Sequence, residues 1–493
     1  MLVDDAVERY QLPGIAVGVI QDGKVIYRRT AGELIAGSGK KIDPDTLFKI
    51  ASNSKAMTTA VLARLVDAGT LNWDDPVIKH LPGFQMHDPW VTREMQVRDL
   101  LIHNSGMGAG AGDLMLWPEP NLFTRADVIR GLRHLKPLHS FRSRYAYDNT
   151  LYIVAGEVAA AAAGISYEDL VRRELFGPLK MARCQIGEWR RDDVGNVAQP
   201  HMRSEGRSVV IRADQETVPM IAMAAAGGIR CSLDDMLTWV KVWLSPERDG
   251  LQAGKPWLSS VQREALWTAH MPMPLSKRMR AWDGSHFSAY GYGWRLTDVD
   301  GTSKVSHTGT LAGMYSAVTL LPQKNAGFVI LINADADEAR TVLNQAFVKH
   351  FTAPEQQRSV VFYADALAVE RQGVQADRPA LSPPRQPATP AGMAEWLGVY
   401  KDAWFGEVSL CTRQDKVRFA SAKSPMLTGD VMRTGTRMLV DWQDASVDAE
   451  PWLTFANTGK GAPRSMKMAK VDPDADFSYD YEDLSFTRVR DCP

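Results

Sequence analysis

The sequence predicts an α+β body followed by a small all-β unit, and three observations carry that reading. Residues Ser52 to Ala68 hold an apolar run with helical period (Ala56, Met57, Ala60, Val61, Leu62, Leu65, Val66) that Gly69 stops. Tyr147-Asp148-Asn149 leads into a second apolar, helix-like run through Ala163, and Asp335 to His350 reads as a helix packed on the strands before it. From Asp377 to Ala391 the chain reads D-R-P-A-L-S-P-P-R-Q-P-A-T-P-A, a proline-rich linker with neither period. Beyond Trp396, short alternating segments recur between turn residues: Gly398-Val399-Tyr400, Gly406 to Leu410, Lys416 to Phe419, Arg437 to Val440 and Trp452 to Phe455. They predict a small antiparallel barrel or sandwich. The expected division is 1–367 for the first domain, 368–393 for the linker and 394–493 for the barrel.

Composition excludes several classes. The 493 residues are 45% hydrophobic, 9% aromatic and 23% charged, ordinary for a globular protein with a large core. A net charge of −1 leaves no electrostatic footprint for nucleic acid or a membrane surface. The low-charge stretches Val158 to Gly164 and Ile221 to Ile229 are too short to span a bilayer. H-E-x-x-H, C-x-x-C and G-x-S-x-G are missing, which argues against metalloprotease and α/β-hydrolase chemistry; neither a metal nor an organic cofactor is expected. Cys184, Cys231, Cys411 and Cys492 lie far apart and are expected to be free, mostly buried thiols. The chain begins almost on its first helix, so the expectation is a periplasmic or secreted protein whose leader has been removed, and otherwise a cytoplasmic one.

The chemistry starts at Phe48-Lys49-Ile50-Ala51-Ser52-Asn53-Ser54-Lys55. Ser52 and Lys55 stand three apart at the mouth of the apolar helix, so hydroxyl and amine share a face. A helix N-terminus favours a developing alkoxide, and a buried lysine is easier to keep as a neutral base. S-x-x-K alone is a weak signal. The chain carries a second copy, Ser38-Gly39-Lys40-Lys41, among glycines and Pro44, where no helix would fix serine against lysine. Tyr147 and Asn149 supply a phenol to relay a proton and an amide to hold a lysine or a substrate carbonyl. Taken alone, that segment reads as a loop-to-helix junction with Asn149 as cap. Val305-Ser306-His307-Thr308-Gly309-Thr310 reads as a strand edge whose glycines admit a ligand backbone. The amides of Ser52 and Thr310 would then form an oxyanion hole.

Serine–lysine, tyrosine–x–asparagine and histidine–threonine–glycine, in that order, resemble the motif set of the penicillin-binding-protein and β-lactamase superfamily, and this chain resembles its class C-like serine hydrolases. Leu12 to Ile20 with Asp22-Gly23-Lys24 looks like the family's opening hairpin, and Leu100-Leu101-Ile102-His103-Asn104-Ser105-Gly106 resembles its LLxHxSG segment. Ala226 to Ile229, Tyr290 to Trp294 and Ile330 to Asn333 fall where the family has similar strings. The resemblance implies the β-lactamase/transpeptidase-like fold: a mainly antiparallel sheet (Gly14 to Arg28, then about Phe287 to Asn333) flanked by helices, with a helical region inserted. The end of the chain, Tyr479 to Val489, resembles an appended lipocalin-like domain.

The resemblance also implies roles: Ser52 as nucleophile, Lys55 and Tyr147 in proton transfer, and Asn149 and His307 beside them. Ser52, Gly309 and Thr310 would form the oxyanion and substrate-binding edge. Two positions depart from the family pattern. His307 stands where β-lactamases and transpeptidases usually have lysine, as in D-aminopeptidase-type peptidases and esterases. Asp148 stands where Ser or Ala is commoner and is expected to pair with Arg142 or Arg144. The expected activity is acyl-enzyme hydrolysis of small or linear peptides, including ones with D- or non-standard residues. A carboxylesterase and a penicillin-binding sensor or scaffold without turnover are the rivals. Expected partners are a peptide or other small substrate and a second copy of the chain, with no nucleic acid and no membrane span.

Overall fold

The computed structural model describes residues 1–252, 254–376, 384–457 and 464–493. They divide into two compact units, Met1–Asp75 with Gln96–Ile102 and Ala155–Arg378, and Pro76–Met95 with His103–Val154 and Pro379–Pro493.

An eight-stranded sheet runs through the first unit in the order Met271–Pro272, Ser288–Tyr290, Arg295–Val299, Thr302–Leu311, Met314–Leu321, Ala326–Ile332, Gly14–Gln21, Lys24–Gly32. Every neighbouring pair is antiparallel. The predicted opening hairpin therefore adds to the late strands, with Ile15 opposite Ile332 and Val19 opposite Phe328. Gly14 to Ile20 are buried without a break, which is why that strand reads as a continuous apolar run. Helices Leu2–Tyr10, Asp337–Thr352 and Val360–Ala376 close one face, where Val3, Ala6, Val342, Leu343 and Tyr363 share a core with Val17, Phe328 and Ile330. Leu237, on helix Leu233–Leu244, packs on Gly18 from the sheet.

The helix predicted from Ser52 starts two residues later, at Ser54, and runs to Asp67. Ser52 itself sits in a 3₁₀ turn, Ala51–Asn53. Ser54 to Ala63 are all buried, as expected of a helix apolar on every side.

The second unit contains the closed barrel. Eight strands, Gly398–Asp402, Gly406–Arg413, Lys416–Ser421, Thr428–Thr434, Arg437–Trp442, Pro451–Ala456, Ser465–Lys470 and Ser485–Arg490, pair each with the next, and the last returns to the first through Tyr400 and Arg488. Tyr400, Leu410, Val417, Phe419, Leu439, Met466 and Phe486 are buried in it. Closure leaves no open sheet edge. Of the predicted linker, residues 377–383 lie outside the described residues. Before them the helix Val360–Ala376 covers 368–376, and after them Gln386–Pro387 pairs with Met432 and Arg433. Among the described residues, no single helix is long and apolar enough to cross a membrane.

The cysteines correct the sequence expectation. Cys184 is bonded to Cys231 and Cys411 to Cys492, with Cα atoms 4.2 and 5.8 Å apart. Separations of 47 and 81 residues concealed both pairs. The fold brings the first together by bridging Gln185 to Arg230, next to each cysteine. Loops of this length lower the entropy of the unfolded chain enough for each bond to contribute about 4 kcal/mol. Denatured but unreduced protein should take up no iodoacetamide at cysteine, and four labels after reduction, by intact mass; any label before reduction would contradict the pairing.

Candidate active site

Ser52 is placed by a turn the backbone does not adopt freely. Ala51, just before it, has φ +48 and is buried. A left-handed alanine costs of the order of 1–3 kcal/mol and persists only where its surroundings impose it. Three residues do so: Ile229, Ser316 and Gly309. Ile50 N–H donates to Ile229 O at 3.1 Å. Ser316 Oγ donates to Ile50 O at 2.7 Å and accepts from Asn53 Nδ2 at 2.8 Å. Gly309 fills the remaining side: a Cβ there would lie 2.2 Å from Ile50 O and 2.4 Å from Ser316 Oγ.

Lys55 is fully buried, and its Nζ donates to Ser52 Oγ at 3.1 Å and to Ala226 O at 2.9 Å. The 3₁₀ turn helps, because residues three apart eclipse there. Ala226 belongs to the short helix Ala224–Gly227, tied to the nucleophile helix by Thr58 Oγ1 donating to Ala225 O at 2.7 Å. Ser54 Oγ accepts from Ile229 N–H at 3.2 Å. The decoy differs in each respect. Ser38 lies exposed in a turn, accepting from Lys40 N–H, while Lys41 pairs with Glu33 at 2.9 Å.

The strand with the third motif lies inside the sheet, yet its end behaves as the predicted edge. Arg295–Val299 pairs with it only as far as Ser306, whereas Met314–Leu321 follows it to Leu311. Residues 307–311 thus have a ladder on one side alone. His307 and Gly309 share the more buried face; Ser306, Thr308 and Thr310 take the other. Gly309 gives its space to the Ile50–Ala51 backbone, where the sequence expectation gave it to a ligand.

His307 is fully buried, with Nδ1 2.7 Å from Thr308 O and Nε2 2.8 Å from the Tyr290 hydroxyl. A carbonyl only accepts, so Nδ1 carries hydrogen and Nε2 of a neutral ring accepts from Tyr290. Thr308 Oγ1 accepts from Arg295 at 2.7 Å. Arg340 donates to Gly309 O at 2.8 Å and Thr310 Oγ1 at 2.9 Å, and also pairs with Asp337. Burial holds the Arg340 guanidinium below its ordinary pKa, against the opposing pull of Asp337.

Tyr147 and Asn149 belong to the second unit. His103, from the LLxHxSG-like string, has its ring 4.3 Å from that of Tyr147 and 5.5 Å from that of Tyr145. Its Nδ1 accepts from Asp148 N–H at 3.0 Å. Asn149 Nδ2 donates to Asp113 Oδ2 at 2.8 Å. Asp148, expected to pair with an arginine, is buried and accepts from Leu151 N–H and Thr150 Oγ1, at 3.1 and 2.8 Å, and from Ser105 Oγ at 3.1 Å. It thus caps helix Thr150–Ala163, the role the sequence offered to Asn149. Arg142 stacks on Phe141 and donates to Glu94 O.

Sequence reasoning missed Ala51, Asn53, Tyr290, Ser316, Arg340 and the Ala226 carbonyl. Apart from the Ala226 and Tyr290 strings, only the i,i+3 spacing of Asp337 and Arg340 left a trace.

Comparison with known proteins places this geometry in context. The Beta-lactamase family profile matches residues 2–350. "Unguisins hydrolase ungD'" of Aspergillus campestris is 25% identical over 359 residues, 71% of this chain and 63% of the relative; the match thus spans less than two thirds of that longer protein. "Penicillin-binding protein 4" of Amycolatopsis lactamdurans is 27% identical over 334 residues, 66% of this chain and 81% of the relative. Among solved structures, the octameric penicillin-binding protein homologue from Pyrococcus abyssi covers 99% of this chain with 98% of its own, at TM-score 0.61 and 18% identity. That likeness shows the fold, barrel included.

Gly309→Ala should put a methyl group into the Ile50 carbonyl, which is backbone and cannot rotate away. We expect a stability loss of about 1–3 kcal/mol by thermal melting and a kcat loss of about 100-fold or more on any acyl substrate. Unchanged melting and rate would show that the turn does not depend on this contact.

Proposed function

The chain belongs to the Beta-lactamase family, and within it we propose that the protein is a serine hydrolase acting through an acyl-enzyme on amide or ester bonds, with small or linear peptides as its principal substrates. One observation carries the proposal: a fully buried lysine amine donating to a serine hydroxyl held in a strained turn.

In this mechanism Lys55, assisted by Tyr147, takes the Ser52 proton as Oγ attacks the carbonyl carbon. The amides of Ser52 and Thr310 hold the oxyanion, and Arg340, bound to the Gly309 carbonyl, steadies that strand end. Asn149 orients the lysine and the substrate carbonyl. Tyr147 or Lys55 returns the proton to the departing amine or alcohol, and water then releases the acyl group. The motif order supports the participation of Tyr147 and Asn149.

His307 supports the choice of substrate. A buried imidazole held between Tyr290 and a carbonyl replaces the fixed ammonium that lysine gives β-lactamases at this position. Anchoring of a β-lactam carboxylate should therefore be weak, and uncharged peptide or ester ends should be preferred. Two disulfides favour an oxidising, periplasmic or extracellular setting. The octameric assembly of the homologue from Pyrococcus abyssi supports a homo-oligomer for this chain.

Ser52→Ala and Lys55→Ala should each lower kcat on p-nitrophenyl acetate by several orders of magnitude with the fold retained, while Ser38→Ala stays near wild type. Full activity in Ser52→Ala would end this reading. Stopped-flow traces separate the rivals: a burst followed by steady turnover marks a hydrolase, and one equivalent released without turnover marks a sensor. Mass spectrometry of products from D- and L-peptide libraries decides between peptidase and esterase. For the wild type, kcat/KM on the short ester should exceed that on benzylpenicillin between pH 6 and 8. A wide preference for penicillin would move the protein to the β-lactamases proper.

A further inference from the structure

The barrel's last connection, between strands Ser465–Lys470 and Ser485–Arg490, touches the second motif within its own unit. Ser478 Oγ donates to Asp113 Oδ2 at 2.8 Å, the same oxygen that accepts from Asn149 Nδ2 at 2.8 Å. Two residues on, the buried Asp480 carboxyl accepts from Gly112 N–H at 2.6 Å and Leu114 N–H at 3.0 Å, gripping the backbone on both sides of Asp113. Phe477 sets its ring edge-on to Tyr147, with centroids 5.7 Å apart. Between them runs Gly110, whose N–H donates to Tyr147 O at 2.8 Å. Its φ is +73, and a Cβ there would lie 2.5 Å from Phe477 O, so this approach demands glycine. Burial, with Asp113 close by, pushes the Asp480 carboxyl well above the usual carboxylate range, which fits a group locked inside rather than one facing solvent.

We propose that the barrel turn Phe477–Asp480 is a positioning element for the second motif: Ser478, through Asp113, fixes the amide of Asn149, and Phe477 fixes the ring of Tyr147. The inference rests on the reading above in which Asn149 and Tyr147 act in acyl transfer. Ser478 and Phe477 touch neither substrate nor reacting atoms. An amide pinned through one N–H has its oxygen and second N–H oriented by that bond. A small misplacement of such a group costs up to about 100-fold in rate without removing it. The barrel thereby supplies part of the precision of the hydrolase.

The test is a double-mutant cycle in the full-length chain, reading kcat and KM for p-nitrophenyl acetate. Ser478→Ala should lower kcat about tenfold with KM changed less than about threefold, and Ser478→Thr, which keeps the hydroxyl, should restore most of the rate. In an Asn149→Ala background, Ser478→Ala should cost less than about twofold more, because its target is gone. A crippled Asn149→Ala beside a wild-type Ser478→Ala would overturn this inference and leave the proposed function standing; so would a further tenfold loss in the double variant. A wild-type Asn149→Ala would remove the role of Asn149 itself, and this inference with it. Should Ser478→Ala fail to fold, Phe477→Leu against Tyr147→Phe forms an equivalent cycle with the same expected non-additivity.

Discussion

A lysine amine with no exposed surface must be met by groups that cannot drift, because a buried donor left without partners costs several kcal/mol. Lys55 meets that demand with the Ala226 carbonyl and the Ser52 hydroxyl. Much of the first unit can be understood as support for those two acceptors. Ala226 is held through the Thr58–Ala225 hydrogen bond to the nucleophile helix. Ser52 is held because Ile50 and Asn53 are fastened to Ser316 on one strand and Ile50 rests on Gly309 in the next. A lysine in water would need none of this. Burial turns an ordinary side chain into a constraint that reaches from the helix across neighbouring strands.

Strain at Ala51 belongs to the same arrangement. A left-handed alanine reverts unless surrounding contacts over-determine it, and here they come from two strands more than 240 residues further along the chain, with Gly309 and Ser316. The nucleophile hydroxyl is thereby presented from a 3₁₀ turn, ahead of the helix, with Lys55 one turn along. On the opposite face of the Gly309 strand, Arg340 ties down Thr310 and the Gly309 carbonyl. Helix Asp337–Thr352, remote from the chemistry in sequence, therefore helps hold the strand end proposed to bind the oxyanion.

What the sequence discloses is governed by the range of each interaction. Apolar period disclosed the buried helix and most strands of the barrel, since burial of a face is written in neighbouring residues, while the sheet was expected from the family resemblance. The Ser52–Lys55 contact was legible because it closes over three residues. The disulfides were not, since 47 and 81 residues separate their halves and only the folded chain brings them side by side. The bonds of Asp148 to the Leu151 amide and the Thr150 hydroxyl close over three and two residues, yet the neighbouring Arg142 and Arg144 drew the sequence reading toward a charge pair. Gly309 was recognised as a close-approach glycine, but which backbone approaches it was a tertiary fact.

The barrel shows the same principle from the other direction. Its strand pattern could be read segment by segment, yet nothing in Phe477-Ser478-Tyr479-Asp480 announces a partner at Asp113, more than 350 residues earlier (365 separate Ser478 from it). The contact is costly to build: Asp480 is buried in a place where its charged form is disfavoured, and Gly110 accepts a left-handed backbone to let Phe477 pass. A barrel that served only as a tether would need neither. Stability alone is served more simply by apolar packing, such as the contact between Phe123 and Phe405 elsewhere in this unit. Directional hydrogen bonds fix orientation where apolar contacts fix only proximity, and orientation is what an amide such as that of Asn149 needs if it is to hold a carbonyl in place.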